Sequence, residues 1–145
     1  MNKAVRLEPL ADYAGKVETE AARRLAASAR ALATKEKEVE QLRSYLAEYR
    51  RRAELEDATT DSMRWQNTRA FLAKLSDVVA ARESELAAAV EGYRLEAERW
   101  RDLYRRAKSL DKIVADGARQ ASLDVAKREQ RELDERALWR MLDRG

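Results

Sequence analysis

The chain has 145 residues, of which 30 are basic and 27 acidic, giving a net charge of +3; 39% are charged and 45% apolar. Cys and His are both absent, which excludes disulfides and removes the commonest zinc ligand and the usual general base. The slight positive excess, with both signs interleaved, describes a solvated helix surface rather than a nucleic-acid footprint.

After a short lead from Met1 to Leu7, the pattern becomes helical. Apolar residues recur at alternating steps of three and four: Leu7, Leu10, Ala14, Val17, Ala21, Leu25, Ser28, Leu32, Lys35, Val39, Leu42, Leu46, Tyr49 and Ala53. Such spacing lines one side of a helix with an apolar seam. Pro9 suits a first helical turn, where its missing N–H costs nothing. The first helix is expected over about 9–56, roughly 70 Å long, with Gly15 inside it and Arg50, Arg51 and Arg52 near its negative end. Residues Asp57-Ala58-Thr59-Thr60-Asp61-Ser62 then make the best break in the chain, since small polar side chains compete for backbone hydrogen bonds and cap well. Thr60, Asp61 and Ser62 are each candidate N-caps for the second helix.

The second helix is expected over about 63–140. Its seam reads Trp65, Thr68, Leu72, Leu75, Val79, Arg82, Leu86, Ala89, Tyr93, Ala97, Trp100, Tyr104, Ala107 and Leu110. Opposite members of the two seams have residue numbers that add to 118, such as Leu46 with Leu72, Val39 with Val79 and Leu25 with Tyr93, or to 117 in the layers between. A constant sum means a chain folded back on itself about residue 59. Each seam breaks its rhythm once with two steps of four, at Val17–Ala21–Leu25 and at Ala89–Tyr93–Ala97. These breaks face each other to within one layer, as two helices relaxing their supercoil together must. Lys35 and Arg82, the one charged residue in each seam, also face each other. The pattern therefore predicts an all-α fold of one domain over 1–145: a long antiparallel two-helix coiled-coil hairpin whose second helix overhangs after about residue 112. The overhang keeps spaced apolar residues, including Val125, Leu133, Leu138 and Met141. It reads either as a frayed, solvated tail or as a segment held by another chain or a copy of itself.

Catalytic arrangements do not emerge. Close carboxylates such as Glu83 with Glu85 carry little information among so many surface acids, and no two Gly lie close enough for a phosphate-cradling loop. No Ser or Lys has an activating base. The expectation is a protein without catalytic residues, metal or cofactor. The clusters Arg50-Arg51-Arg52, Arg105-Arg106 and Lys127-Arg128 are each matched by nearby acids, so nucleic acid is not an expected partner. No apolar run reaches membrane-spanning length and the N-terminus lacks a signal-peptide core, so a soluble, cytoplasmic protein is expected. The informative residues are apolar ones off the seam. Phe71, Leu75 and Val78 form a stripe turning outward near the break, continued by Arg82, unless Phe71 merely folds over the end of the seam. Trp139 is a second exposed candidate.

Three segments, in order, carry a resemblance. Arg6-Leu7-Glu8-Pro9-Leu10-Ala11-Asp12-Tyr13-Ala14, Asn67-Thr68-Arg69-Ala70-Phe71-Leu72-Ala73-Lys74-Leu75 and Lys127-Arg128-Glu129-Gln130-Arg131-Glu132-Leu133-Asp134-Glu135 resemble the opening, post-turn and C-terminal motifs of the flagellar export protein FliJ family, with Arg131 where Lys is commoner. The resemblance covers nearly the whole chain. It implies a stalk-like coiled coil in the pore of a hexameric export ATPase of the FliI type, contacting an export gate protein of the FlhA type and handling export chaperones. It implies a place in the cytoplasm, peripheral at the inner-membrane base of the flagellum. The family's gate-contact patch falls here on Phe71 and Leu75, and at the next two positions on Val78 and Arg82, which depart from the family's residue types. The ATPase-ring contacts implied are Arg128, Gln130, Arg131, Leu133, Asp134 and Arg136, with Arg6 and Leu10. The rival readings are the equivalent stalk of a virulence-type injectisome and a plain coiled-coil spacer.

Overall fold

The computed structural model describes residues 3–56 and 61–144, with side chains from Val5 onward in the first segment. The first four residues of the expected break, Asp57 to Thr60, lie outside the described residues. Every described residue except Asp61 is helical. Helix α1 spans Lys3–Glu56 and α2 spans Ser62–Arg144, and the two pack antiparallel as a helical hairpin. Ala, Leu, Glu and Arg dominate both, the residues that lose least on entering a helix.

Both helix starts are informative. Asp61 caps α2: its Oδ1 accepts a hydrogen bond from the Met63 N–H at 3.4 Å, while its carbonyl accepts the first intrahelical bond, from Trp65 N–H at 3.0 Å. Of the three candidate caps, Asp61 has the geometry an N-cap requires. Helix α1 begins earlier than its pattern suggested, so Pro9 lies inside it rather than in its first turn. Pro9 has no N–H for the Val5 carbonyl, which weakens the leading turn from within. The three arginines at 50–52 fall short of the last turn of α1, beyond the reach of most of the helix-end field.

Contacts divide the chain into two units, residues 22–99 and residues 1–21 with 100–145. The division falls beside the steps of four in each helix, and all six residues of those steps, Val17, Ala21, Leu25, Ala89, Tyr93 and Ala97, are half-buried.

In the unit of residues 22–99, α1 covers the expected seam positions Leu25, Ser28, Leu32, Lys35, Val39, Leu42, Leu46 and Ala53, with Ala22 and Ala29 half-buried beside them, while the expected Tyr49 is exposed. On α2 the covered positions are Thr68, Leu72, Leu75, Ser76, Val79, Glu83, Leu86, Ala89, Tyr93 and Ala97, while Trp65, expected in the seam, is exposed. Val39, at 2% exposure, and Val79 are the deepest, and their numbers add to the expected 118. The expected Lys35–Arg82 layer is corrected. Glu83, not Arg82, takes the seam position, because α2 steps by four from Val79. Arg82 turns outward and pairs with Glu85 at 3.0 Å. Glu83 instead accepts a hydrogen bond from Arg43 Nε at 2.8 Å across the hairpin. Two like charges facing each other are thereby avoided.

In the unit of residues 1–21 with 100–145, Ala11, Ala14 and Ala107 are buried. Here two expectations shift by one residue. Ala11 takes the deep position expected for Leu10, and Leu103 takes that expected for Tyr104. An alanine-on-alanine layer brings the backbones close and pushes the larger Leu10 and Tyr104 to the flanks. Trp100 Nε1 donates to Glu18 Oε1 at 2.9 Å, a pair whose numbers again add to 118. The seam continues past its expected end at Leu110 through Val114, Gly117 and Ala121, all half-buried. From Ser122 to Arg144 every residue is exposed.

Burial is thin throughout. Among the described residues only Val39, Leu46 and Val79 are buried side chains larger than Ala, each worth about 1.5–3 kcal/mol. Among the described residues no polar or charged residue is buried, so little specificity comes from interior hydrogen bonds. The hairpin is a seam with wet flanks, and its functional potential lies in what those flanks expose.

Candidate interaction surfaces

The expected gate stripe divides between surface and seam. Phe71 is 48% exposed and Val78 45%, both outward from α2. Leu75 is half-buried in the seam, so it presents only one side. Arg82 is exposed and held by Glu85. The alternative for Phe71, folding over the seam end, holds in part: its ring meets that of Tyr49 edge-on, with centroids 5.2 Å apart and planes at 73°. That geometry suits two aromatic quadrupoles, and it leaves one face of Phe71 free.

Tyr49 is the contribution that spacing missed. It reads as a seam residue in sequence, but it is exposed and stands as a wall. With Arg52, Ala53 and Glu56 of α1, and Arg64, Asn67, Thr68 and Phe71 of α2, it lines a groove of about 360 Å³. In the groove Arg52 bonds Glu48 at 2.6 Å and lies over the Tyr49 ring; outside its lining, on α2, Arg69 lies over Trp65, 4.6 Å from its centroid. An aromatic–guanidinium surface of this kind suits protein contacts.

The expected ring-contact residues all lie in the other unit and all are exposed: Arg6 and Leu10 on α1, and Arg128, Gln130, Arg131, Leu133, Asp134 and Arg136 on α2. The structure does not bring the two groups together. Leu10 lines an apolar groove of about 260 Å³ with Tyr13, Ala14, Val17, Leu103, Arg106 and Leu110. Arg128 lies eighteen residues beyond Leu110 along α2, about 27 Å of helix. The groove was legible only in part, since Leu10 was placed inward by spacing and Leu103 was not singled out. Gln130 Nε2 donates to Asp134 Oδ1 at 3.1 Å, one turn apart, which orders these two side chains on one face.

Among the described residues, no three acidic side chains cluster in a way that could hold a metal ion, and no helix is long and apolar enough to cross a membrane. The Arg94 guanidinium holds the Glu91 carboxyl below the usual range by hydrogen bond and by charge, while desolvation opposes this. It forms part of an exposed chain in which Arg94 bridges Glu91 and Glu98. This is a solvated helix-face network rather than a site.

Two long helices packed antiparallel along an apolar seam, with unpaired apolar stripes at both ends of the sequence pattern, define an antiparallel coiled-coil hairpin. The family model described as Flagellar FliJ protein matches residues 2–145, and the chain belongs to that family. It is accordingly a flagellar export-related component. No curated protein and no solved structure matches the chain.

Proposed function

We propose that this protein is a non-enzymatic stalk of the flagellar export machinery, seated in a hexameric export ATPase, linking it to the export gate and handling export chaperones. It works in the cytoplasm, peripheral to the inner membrane at the flagellar base. The observation that carries the reading is the uncovered part of α2. Residues 122–144 stay helical with every side chain exposed, although most helical stability in proteins comes from packing an apolar face against a partner. A ring pore supplies the cover the hairpin lacks. Arg128, Arg131 and Arg136 would engage its acidic or carbonyl groups, Leu133 its apolar lining, and Gln130 and Asp134 its polar edge. In the unit of residues 22–99, the exposed parts of Phe71 and Val78 would meet the gate.

The test mixes the full chain with its cognate export ATPase and reads hexamer formation and turnover. The full chain is expected to raise both. A chain ending at Ser122 keeps the whole seam, so it should remain helical and lose the stimulation. Full stimulation by the shortened chain would remove the C-terminal helix from the ring. For the gate, Phe71→Ala should weaken binding to the gate's cytoplasmic domain by about tenfold, the scale of an aromatic anchor, with helix content unchanged. Equal binding by that variant would detach the stripe from the gate.

A further inference from the structure

The exposed end of α2 carries a second apolar stripe, distinct from the intramolecular seam. Leu123, Ala126, Gln130, Leu133 and Ala137 recur at steps of three and four. All are exposed, Leu123 at 51% and Leu133 at 57%. The hairpin seam ends at Ala121, on another face. This is a coiled-coil stripe of about two heptads with nothing of its own chain against it.

The charges beside the stripe say what fits it. Lys127 and Asp134 lie on one flank, Glu129 and Arg136 on the other. Among the described residues, Lys127, Glu129 and Arg136 form no ion pair, and Asp134 bonds only the uncharged Gln130. Flanking charges set partner and orientation in coiled coils. Suppose a second copy lies parallel. Flank contacts then join each residue to the one five positions further along the partner, so Glu129 meets Asp134 twice, and both contacts repel. In an antiparallel pair each flank meets its own kind. Glu129 then meets Arg136, Lys127 meets Asp134, and each contact occurs twice by symmetry. All four attract. The same register sets Gln130 against Leu133 and Ala126 against Ala137, with the stem of Arg140 covering Leu123.

We infer that this stripe is a self-association surface, on which a second copy of the chain docks antiparallel through residues 123–140. The contact is isologous, so it closes on a dimer and does not propagate. Its short length and alanine layers make the dimer weak and concentration-dependent. Four of its residues, Gln130, Leu133, Asp134 and Arg136, are also those proposed for the ring. Under the ring reading, on which this sentence alone rests, the dimer withholds the stalk until a ring competes for it.

Sedimentation equilibrium of the full chain over a wide concentration series tests the inference without any ATPase, so its outcome is independent of the ring reading. A monomer–dimer equilibrium is expected, weakened by salt. Glu129→Arg replaces two attractions by two repulsions and should weaken the dimer about tenfold. Adding Arg136→Glu to that variant should restore it, and circular dichroism of each variant confirms that the helices are intact. A chain that stays monomeric throughout overturns the inference. So does a dimer indifferent to Glu129→Arg, or one strengthened by it, which is the parallel outcome, or a double variant that fails to recover.

Discussion

Gly15 and Gly92 sit inside helices where a methyl group would meet nothing within 4 Å. Both have ordinary helical backbone, since no glycine described has a positive φ. Neither a turn nor a close approach therefore requires them. The cost of glycine in a helix is the freedom it loses on folding, about 1 kcal/mol relative to alanine. Gly92→Ala should raise stability by up to about 1 kcal/mol, read as a higher midpoint in urea with an unchanged slope. Gly15→Ala should do the same, although Pro9 already loosens the turn ahead of it. A lower midpoint for either would show a role for the bare backbone. At this scale the sequence was least legible. The placement of Arg82, Leu10 and Tyr104 each slipped by one residue. A single step of four instead of three rotates a side chain out of the seam, and composition does not reveal which of two adjacent residues will yield. The Trp100–Glu18 bond was invisible for a related reason: Glu18 reads as one acid among many until its opposite number is an indole N–H.

At the scale of elements, the reading was much fuller. Fourteen seam positions per helix, twelve of them apolar, leave little freedom, because a slip of register would expose most of a seam at once. The residue numbers adding to 118 capture this for Val39 with Val79 and for Ala11 with Ala107, although Ala11 entered only by displacing Leu10. The paired steps of four at Val17–Ala21–Leu25 and Ala89–Tyr93–Ala97 are likewise in place. The start of α1 was not legible, since Pro9 reads as a beginning and only Leu7 of the six helical residues before it belongs to the seam. Nor was the length of the seam. Val114 and Ala121 extend it past Leu110, and only the position of the N-terminal turns of α1 could have shown that. Spacing found the Phe71 stripe but could not show Tyr49 walling it, since an aromatic residue at a seam position reads as core whether or not the seam stays closed there.

For the molecule as a whole, the charge inventory makes a sharp statement about pH. With no His and no Cys, no side chain has its ordinary titration between about pH 6 and 8. Stability should be flat across that range, read as a constant thermal midpoint. Acid is different. The folded pKa of Glu91 lies below its unfolded value of 4.5, so its contribution is complete above that value and is lost as pH falls through the folded one. The group is fully exposed, and the loss should be small and salt-screened. A midpoint that moved between pH 6 and 8 would point to the N-terminal amine or to a side chain shifted far from its ordinary range. Finally, the three tryptophans occupy three unlike settings: Trp65 stacked under Arg69, Trp100 half-buried and bonded to Glu18, and Trp139 67% exposed on the bare helix. The chain thus carries its own optical probes. Replacing two indoles at a time by phenylalanine would leave one lamp lit, near the turn, at the paired strip or on the uncovered end. Docking of a partner could then be located by which lamp becomes shielded from a dissolved quencher, with no dye attached.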